Sequence, residues 1–132
     1  MSIFRVSINI ATATRSLEEL DEYTGASATR WTPIGAPIHD FDPTGPAREI
    51  SQWHLDSGVE PGEQLIEPHL AALRGVLERM AYVPIEGVLY ASFSIAVNGR
   101  ENGFVFELEP LDAALIARAS LHLRVDAYPP VG

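Results

Sequence analysis

The chain of 132 residues contains no cysteine and no lysine. The first absence excludes a disulfide framework, a thiol nucleophile and a thiolate metal site. The second makes all nine cations arginine, whose planar fork suits carboxylate and phosphate, although genome base composition explains such usage equally well. Positive charge is scarce too. Nine arginines stand against eighteen acids, a formal charge of −9, which opposes binding to nucleic acid or to an anionic membrane because both are polyanions. A basic partner fits better. No apolar run approaches the roughly 18 residues of a membrane span. Met1-Ser2-Ile3-Phe4-Arg5 lacks the basic start and apolar stretch of a secretory signal, so the expected location is cytoplasmic. There is no G-x-S-x-G elbow, no P-loop, no G-x-G-x-x-G after a strand and no H-E-x-x-H. The chain thus gives no support for a serine hydrolase, a nucleotide cofactor or a zinc site, and no cofactor or metal is expected.

What is present is a globular composition, 46% hydrophobic, 20% charged and 8% aromatic, in a length that suits one domain over residues 1–132. From Ile3 to Ala11, Phe4, Val6, Ile8 and Ile10 alternate with Arg5, Ser7 and Asn9, the period of a strand buried on one face. Ser16-Leu17-Glu18-Glu19 is a capping box and Gly25 suits a left-handed C-terminal cap, which predicts a helix over about 17–24. Residues 26–48 hold Pro33, Pro37, Pro43 and Pro46 with Gly35 and Gly45 and read as a long loop. Ile50 to Asp56 alternates again as a strand. Ile66, Leu70, Leu73, Leu77 and Met80 trace one stripe on a helix of about 65–80, with Pro68 in its first turn. Leu89 to Val97 predicts a strand, Asn98-Gly99 a turn, and Phe104, Phe106 and Leu108 the second arm of a hairpin. Glu109-Pro110 opens a helix to about Ala119, and Leu121, Leu123, Val125 and Ala127 mark a last strand before Pro129-Pro130.

The order β-α-β-α-β-β-α-β predicts an α+β domain: a mostly antiparallel sheet of about five strands with helices packed on one face. The β-α-β at the start and the β-β-α-β at the end suggest ferredoxin-like halves.

Catalytic residues are not indicated. His39-Asp40-Phe41-Asp42 and the pair His54 and Asp56 place imidazoles near carboxylates, but neither has the spacing of a metal motif, and a solvated loop and an ordinary strand surface explain them better. Ser92 and Ser94 alternate outward, as any polar sheet surface would. Glu107 and Glu109 read as solvated charges. The outer face of the sheet is more informative, because Arg5, Ser7, Asn9, Gln52, His54, Ser92, Ser94, Glu107, His122, Arg124 and Asp126 project there, joined by Tyr90 and Tyr128. Either this is the wet side of an antiparallel sheet or it is a docking surface. In the second case Arg5 and Arg124 are forks for an anion, Asn9, His54, His122 and Asp126 supply the polar set, and the tyrosines supply low-entropy contacts. Tyr128 has a structural role at the sheet edge as its alternative. Trp31, on the proline-rich loop, is either an anchor into the core or an exposed contact, and Trp53 belongs to the core.

Several landmarks coincide with one family. The strand Phe4–Ile10, the helix ending Tyr23-Thr24-Gly25, the Thr29-Arg30…Gly35 loop, the Gln52-Trp53 strand, the long amphipathic helix, the hairpin and the closing Val125-Asp126-Ala127-Tyr128 resemble the uncharacterised bacterial family catalogued as domain of unknown function 4279. The signature positions are Gly35, Trp53, Asp126 and Tyr128. Where members often carry a proline after the first helix, this chain has Ala26-Ser27-Ala28. The resemblance implies a small bacterial cytoplasmic protein of no established activity, and it assigns no catalytic residue. Size, acidity and the lack of a catalytic constellation make a non-enzymatic protein-binding module the leading expectation, specifically an immunity protein that neutralises a basic toxin. The alternative is a small-ligand-binding protein or enzyme using the polar sheet face. Oligomeric state is left open.

Overall fold

Alternation of Val6, Ile8 and Ile10 with polar residues makes the first strand the hub of the molecule. The computed structural model describes residues 2–60, 65–98 and 106–128. In chain order these form β1 (Ser2–Thr12), α1 (Leu17–Thr24), β2 (Arg30–Thr32), β3 (Ser51–Asp56), α2 (Ile66–Tyr82), β4 (Val88–Asn98), α3 (Pro110–Arg118) and β5 (His122–Tyr128). The five strands make one sheet in the order β2-β3-β1-β4-β5. β1 pairs antiparallel with both β3 and β4, β2 pairs antiparallel with β3, and β4 pairs parallel with β5.

The α+β class therefore holds, but the sheet is mixed rather than mostly antiparallel and the element order differs. Apolar alternation reports which face of a strand is buried and is silent on its direction. The direction of β5 follows from α3, which carries the chain back across the helix layer so that β5 runs with β4, as a parallel pair requires. β4 and β5 lie side by side, unlike the split β-α-β units of ferredoxin-like halves. Of the expected hairpin's second arm, Phe104 lies outside the described residues, as does Gly99 of the turn. Phe106 and Leu108 pack against the core in irregular chain without joining the sheet. The long loop contributes the extra strand. Beyond β2 it closes on itself through a bridge between Pro37 and Ala47 and backbone bonds from Gly35 N–H to Arg48 O (2.9 Å) and from Ile38 N–H to Pro46 O (3.0 Å).

One face of the sheet is covered. Val6, Ile8, Ile10, Trp53, Phe93, Ile95 and Val97 pack against Leu20, Leu70, Leu73, Leu77, Met80 and Ile116 of the helices. The Ser16 and Glu19 capping box forms as read, and Gly25 caps α1 at φ 72°. Polar ties fix each helix. The Trp53 indole donates to Asp21 Oδ1 of α1 at 2.9 Å. Arg79 Nε of α2 donates to the Glu22 and Tyr23 carbonyls at the end of α1, each at 3.1 Å. Arg74 of α2 grips Asp112 of α3 at 3.0 and 3.2 Å and also reaches Glu67. No helix among the described residues is long and apolar enough to cross a membrane.

Candidate ligand-binding trough

The register sorts the uncovered face into rows that cross the strands. Arg5, Ala96 and Asp126 form the first, and Asp56, Ser7, Ser94 and Arg124 the second. Arg30, His54, Asn9, Ser92 and His122 form the third, across all five strands, and Thr32, Gln52, Ala11 and Tyr90 the fourth. Residues of such rows project to the same side of the pleat. Central strands β1 and β4 carry mostly small side chains here, while the flanking strands carry long ones. The result is a trough with a floor of Ser7, Ser92, Ser94, Ala11 and Ala96 and a volume of about 380 Å³. Its depth shows in the floor: Ser7 and Ser92 are each only 3% exposed although no helix covers them.

Seven of the candidates from the sequence, Arg5, Asn9, His54, Tyr90, Arg124, Asp126 and Tyr128, line this trough. His122 stands behind Tyr90, the two rings stacked at 4.6 Å and 18°. Trp31 does not join them. Its register partner is Trp53, so it faces the helix side and packs against the core, the anchor of the two alternatives. Tyr128 is 51% exposed at the rim of the trough.

Asn9 organises the floor. Its amide nitrogen donates to Ser7 Oγ (3.1 Å) and Ser94 Oγ (3.3 Å), which leaves its oxygen toward Nδ1 of His54 at 2.5 Å. Nδ1 must therefore carry hydrogen. The other nitrogen, Nε2, lies 2.9 Å from Asp56 Oδ1, so both ring nitrogens have a partner. Ser92 and Ser94 hydroxyls bond each other at 3.0 Å. Asp126, in the row of Ala96, brings one carboxylate to the trough wall.

Electrostatically the face differs from the rest of the chain. It holds Arg5, Arg30 and Arg124, three of nine cations, with Asp56 and Asp126, two of eighteen acids. Arg124 meets Asp126 through Nε at 3.1 Å, and Arg5 Nε approaches Asp56 at 4.0 Å. Their terminal guanidinium nitrogens have no partner among the described residues, nor has Arg30. In a molecule of net charge −9 this face carries one more cation than acid.

Sequence reasoning missed Arg30 and Thr32, because β2 is three residues inside a proline-rich loop and too short for a periodicity signal. Glu107, counted on the outer face, lies in irregular chain instead. His39 stacks on the exposed Phe41 at 5.2 Å, away from the trough. Among the described residues no group of three His, Asp or Glu side chains is placed to hold a metal. A separate polar pair lies on the helix side: Nδ1 of the fully buried His69 of α2 shares a hydrogen bond with the Ser57 hydroxyl (2.7 Å), while its Nε2 has no hydrogen-bond partner among the described residues. Burial holds this ring's pKa below its usual value. Compared with family models, with curated proteins and with solved structures, the chain matches none.

Proposed function

We propose that the protein is a binding protein whose trough takes a small polar ligand carrying an anionic group. The placement of Arg5, Arg30 and Arg124 around a hydroxyl-lined floor, in a chain otherwise dominated by acids, carries this reading. A volume of about 380 Å³ favours a small molecule over a docked protein surface. The polar network favours binding over catalysis. The Ser7 and Ser94 hydroxyls are bonded to an amide, which takes up no proton, and both nitrogens of His54 are already engaged by Asn9 and Asp56. Calorimetry with inorganic phosphate tests it. Binding that weakens with added salt and falls at least fivefold in both Arg5→Gln and Arg124→Gln is expected. Equal affinity in both variants contradicts it.

A second surface favours the protein-binding reading, an immunity protein that neutralises a basic toxin. Between α2 and α3, Leu111 (81% exposed) and Tyr82 (66% exposed) flank an apolar groove rimmed by Glu67, Glu78 and Glu109. Arg74 and Arg118 also line the groove, so its four acids exceed its cations by two, and the charge of −9 steers an amphipathic basic segment toward it. A salt-sensitive complex with a basic protein that is retained by the wild type and lost in Leu111→Asp supports this reading, and retention by Leu111→Asp contradicts it. Membership of the domain of unknown function 4279 family stays a proposal resting on Gly35, Trp53, Asp126 and Tyr128.

A further inference from the structure

Resting on the anion-binding reading of the trough, we infer that its ligand is a nucleoside monophosphate lying along the strands, phosphate toward Arg5 and Arg124 and base against Tyr90. The order of side chains along the trough carries this. Arg5 and Arg124 occupy the first two rows, Asn9 and Ser92 the third, and Tyr90 the fourth, across from Gln52 and Thr32. Rows succeed each other every second residue, about 7 Å, so the rows of Arg124 and Tyr90 are about 13 Å apart, and the arginine stem shortens the effective span. Anion, hydroxylated middle and planar ring in that order describe a nucleoside monophosphate.

Each part of such a ligand meets matching chemistry. Arg5 and Arg124 approach Asp56 and Asp126 through Nε, which leaves their terminal nitrogens without a partner among the described residues and able to hold phosphate. Serine hydroxyls and the Asn9 amide exchange hydrogen bonds with ribose hydroxyls, and the Gln52 amide and the Thr32 hydroxyl meet the edge of a base. Tyr90, 44% exposed, is already held by its stack on His122, so stacking a base on it orders little that is not ordered beforehand. The trough has room for one nucleotide. A polymer of phosphates is repelled by the −9 field at range, whereas a single phosphate within a Debye length feels the local arginines. Among the described residues no glycine lines the trough, and no phosphate-binding motif marks the site in the sequence.

The test is calorimetric titration of the full chain with each of the four ribonucleoside 5′-monophosphates and, separately, with inorganic phosphate. The best nucleotide is expected to bind at least tenfold more tightly than phosphate. Tyr90→Ala should weaken it about tenfold while Tyr90→Phe retains it, since the ring and not the hydroxyl does the stacking. Thermal melts of both variants establish that they fold. Phosphate binding with no gain from any nucleotide, or a full-strength Tyr90→Ala, overturns the nucleotide inference and leaves anion binding standing. Failure of phosphate and of all four nucleotides overturns both.

Discussion

Asn9 holds together side chains that sequence distance separates widely: its amide meets Ser7, Ser94 and His54 at once. Asn9→Leu leaves the His54 Nδ1 hydrogen facing an apolar group and strips two serines of a donor. A loss of about 1–3 kcal/mol in urea unfolding is expected, together with weakened phosphate binding. His69 behaves differently, because it sits in the core with Nε2 unpartnered among the described residues. Above its usual value of 6.5 the ring is neutral whether folded or unfolded. Below that pH the unfolded ring takes a proton that the folded ring resists, so its contribution to stability falls as pH drops through this range toward the lowered folded value. Urea midpoints measured near pH 7.5 and pH 5.5 should show a larger acid loss in the wild type than in His69→Gln. At this scale Asn9 and His54 were legible from strand alternation. The Ser57 and His69 pair was not, since its partners come from a strand end and a helix twelve residues apart.

Among the elements, the helix layer is tied by arginines rather than by apolar packing alone. Asp112 is 4% exposed, and its carboxylate is gripped by Arg74, which also meets Glu67. Arg74→Ala leaves that carboxylate buried without its partner and should cost about 2 kcal/mol, below the usual buried-pair value because Arg74 is partly exposed. The double variant Arg74→Leu with Asp112→Leu should recover most of the loss in the same unfolding assay. At the end of α1, Gly25 has φ 72°, and a β-carbon there would sit 2.9 Å from Arg79 Cδ. Gly25→Ala should therefore lower stability by about 1 kcal/mol or more, with strain and a displaced Arg79 both contributing. Legibility followed periodicity. The stripe from Ile66 to Met80 and the Ser16 capping box gave α2 and α1 their places, because each signal is local. β2 was invisible, being three residues long, and the direction of β5 depends on the route of α3 across the sheet.

For the whole molecule, charge and shape divide the surface into two regions. Helices and loops carry most of the acids, while the uncovered sheet face concentrates arginines around a serine floor. Composition alone reported the first region and hid the second, since a formal charge of −9 averages over both. The outer-face residues could be read from alternation, but concavity could not, because it arises from small side chains on β1 and β4 lying between long ones on strands that the sequence does not visibly pair. If the trough is an anion site, the amides along its floor respond to phosphate. A residue-resolved NMR titration of the ¹⁵N-labelled chain with inorganic phosphate tests it most directly. Saturable shifts concentrated on the amides of Ser7, Asn9, Ser92, Ser94 and Arg124 are expected. Shifts confined to α2 and α3, or none at any phosphate concentration up to tens of millimolar, would contradict it.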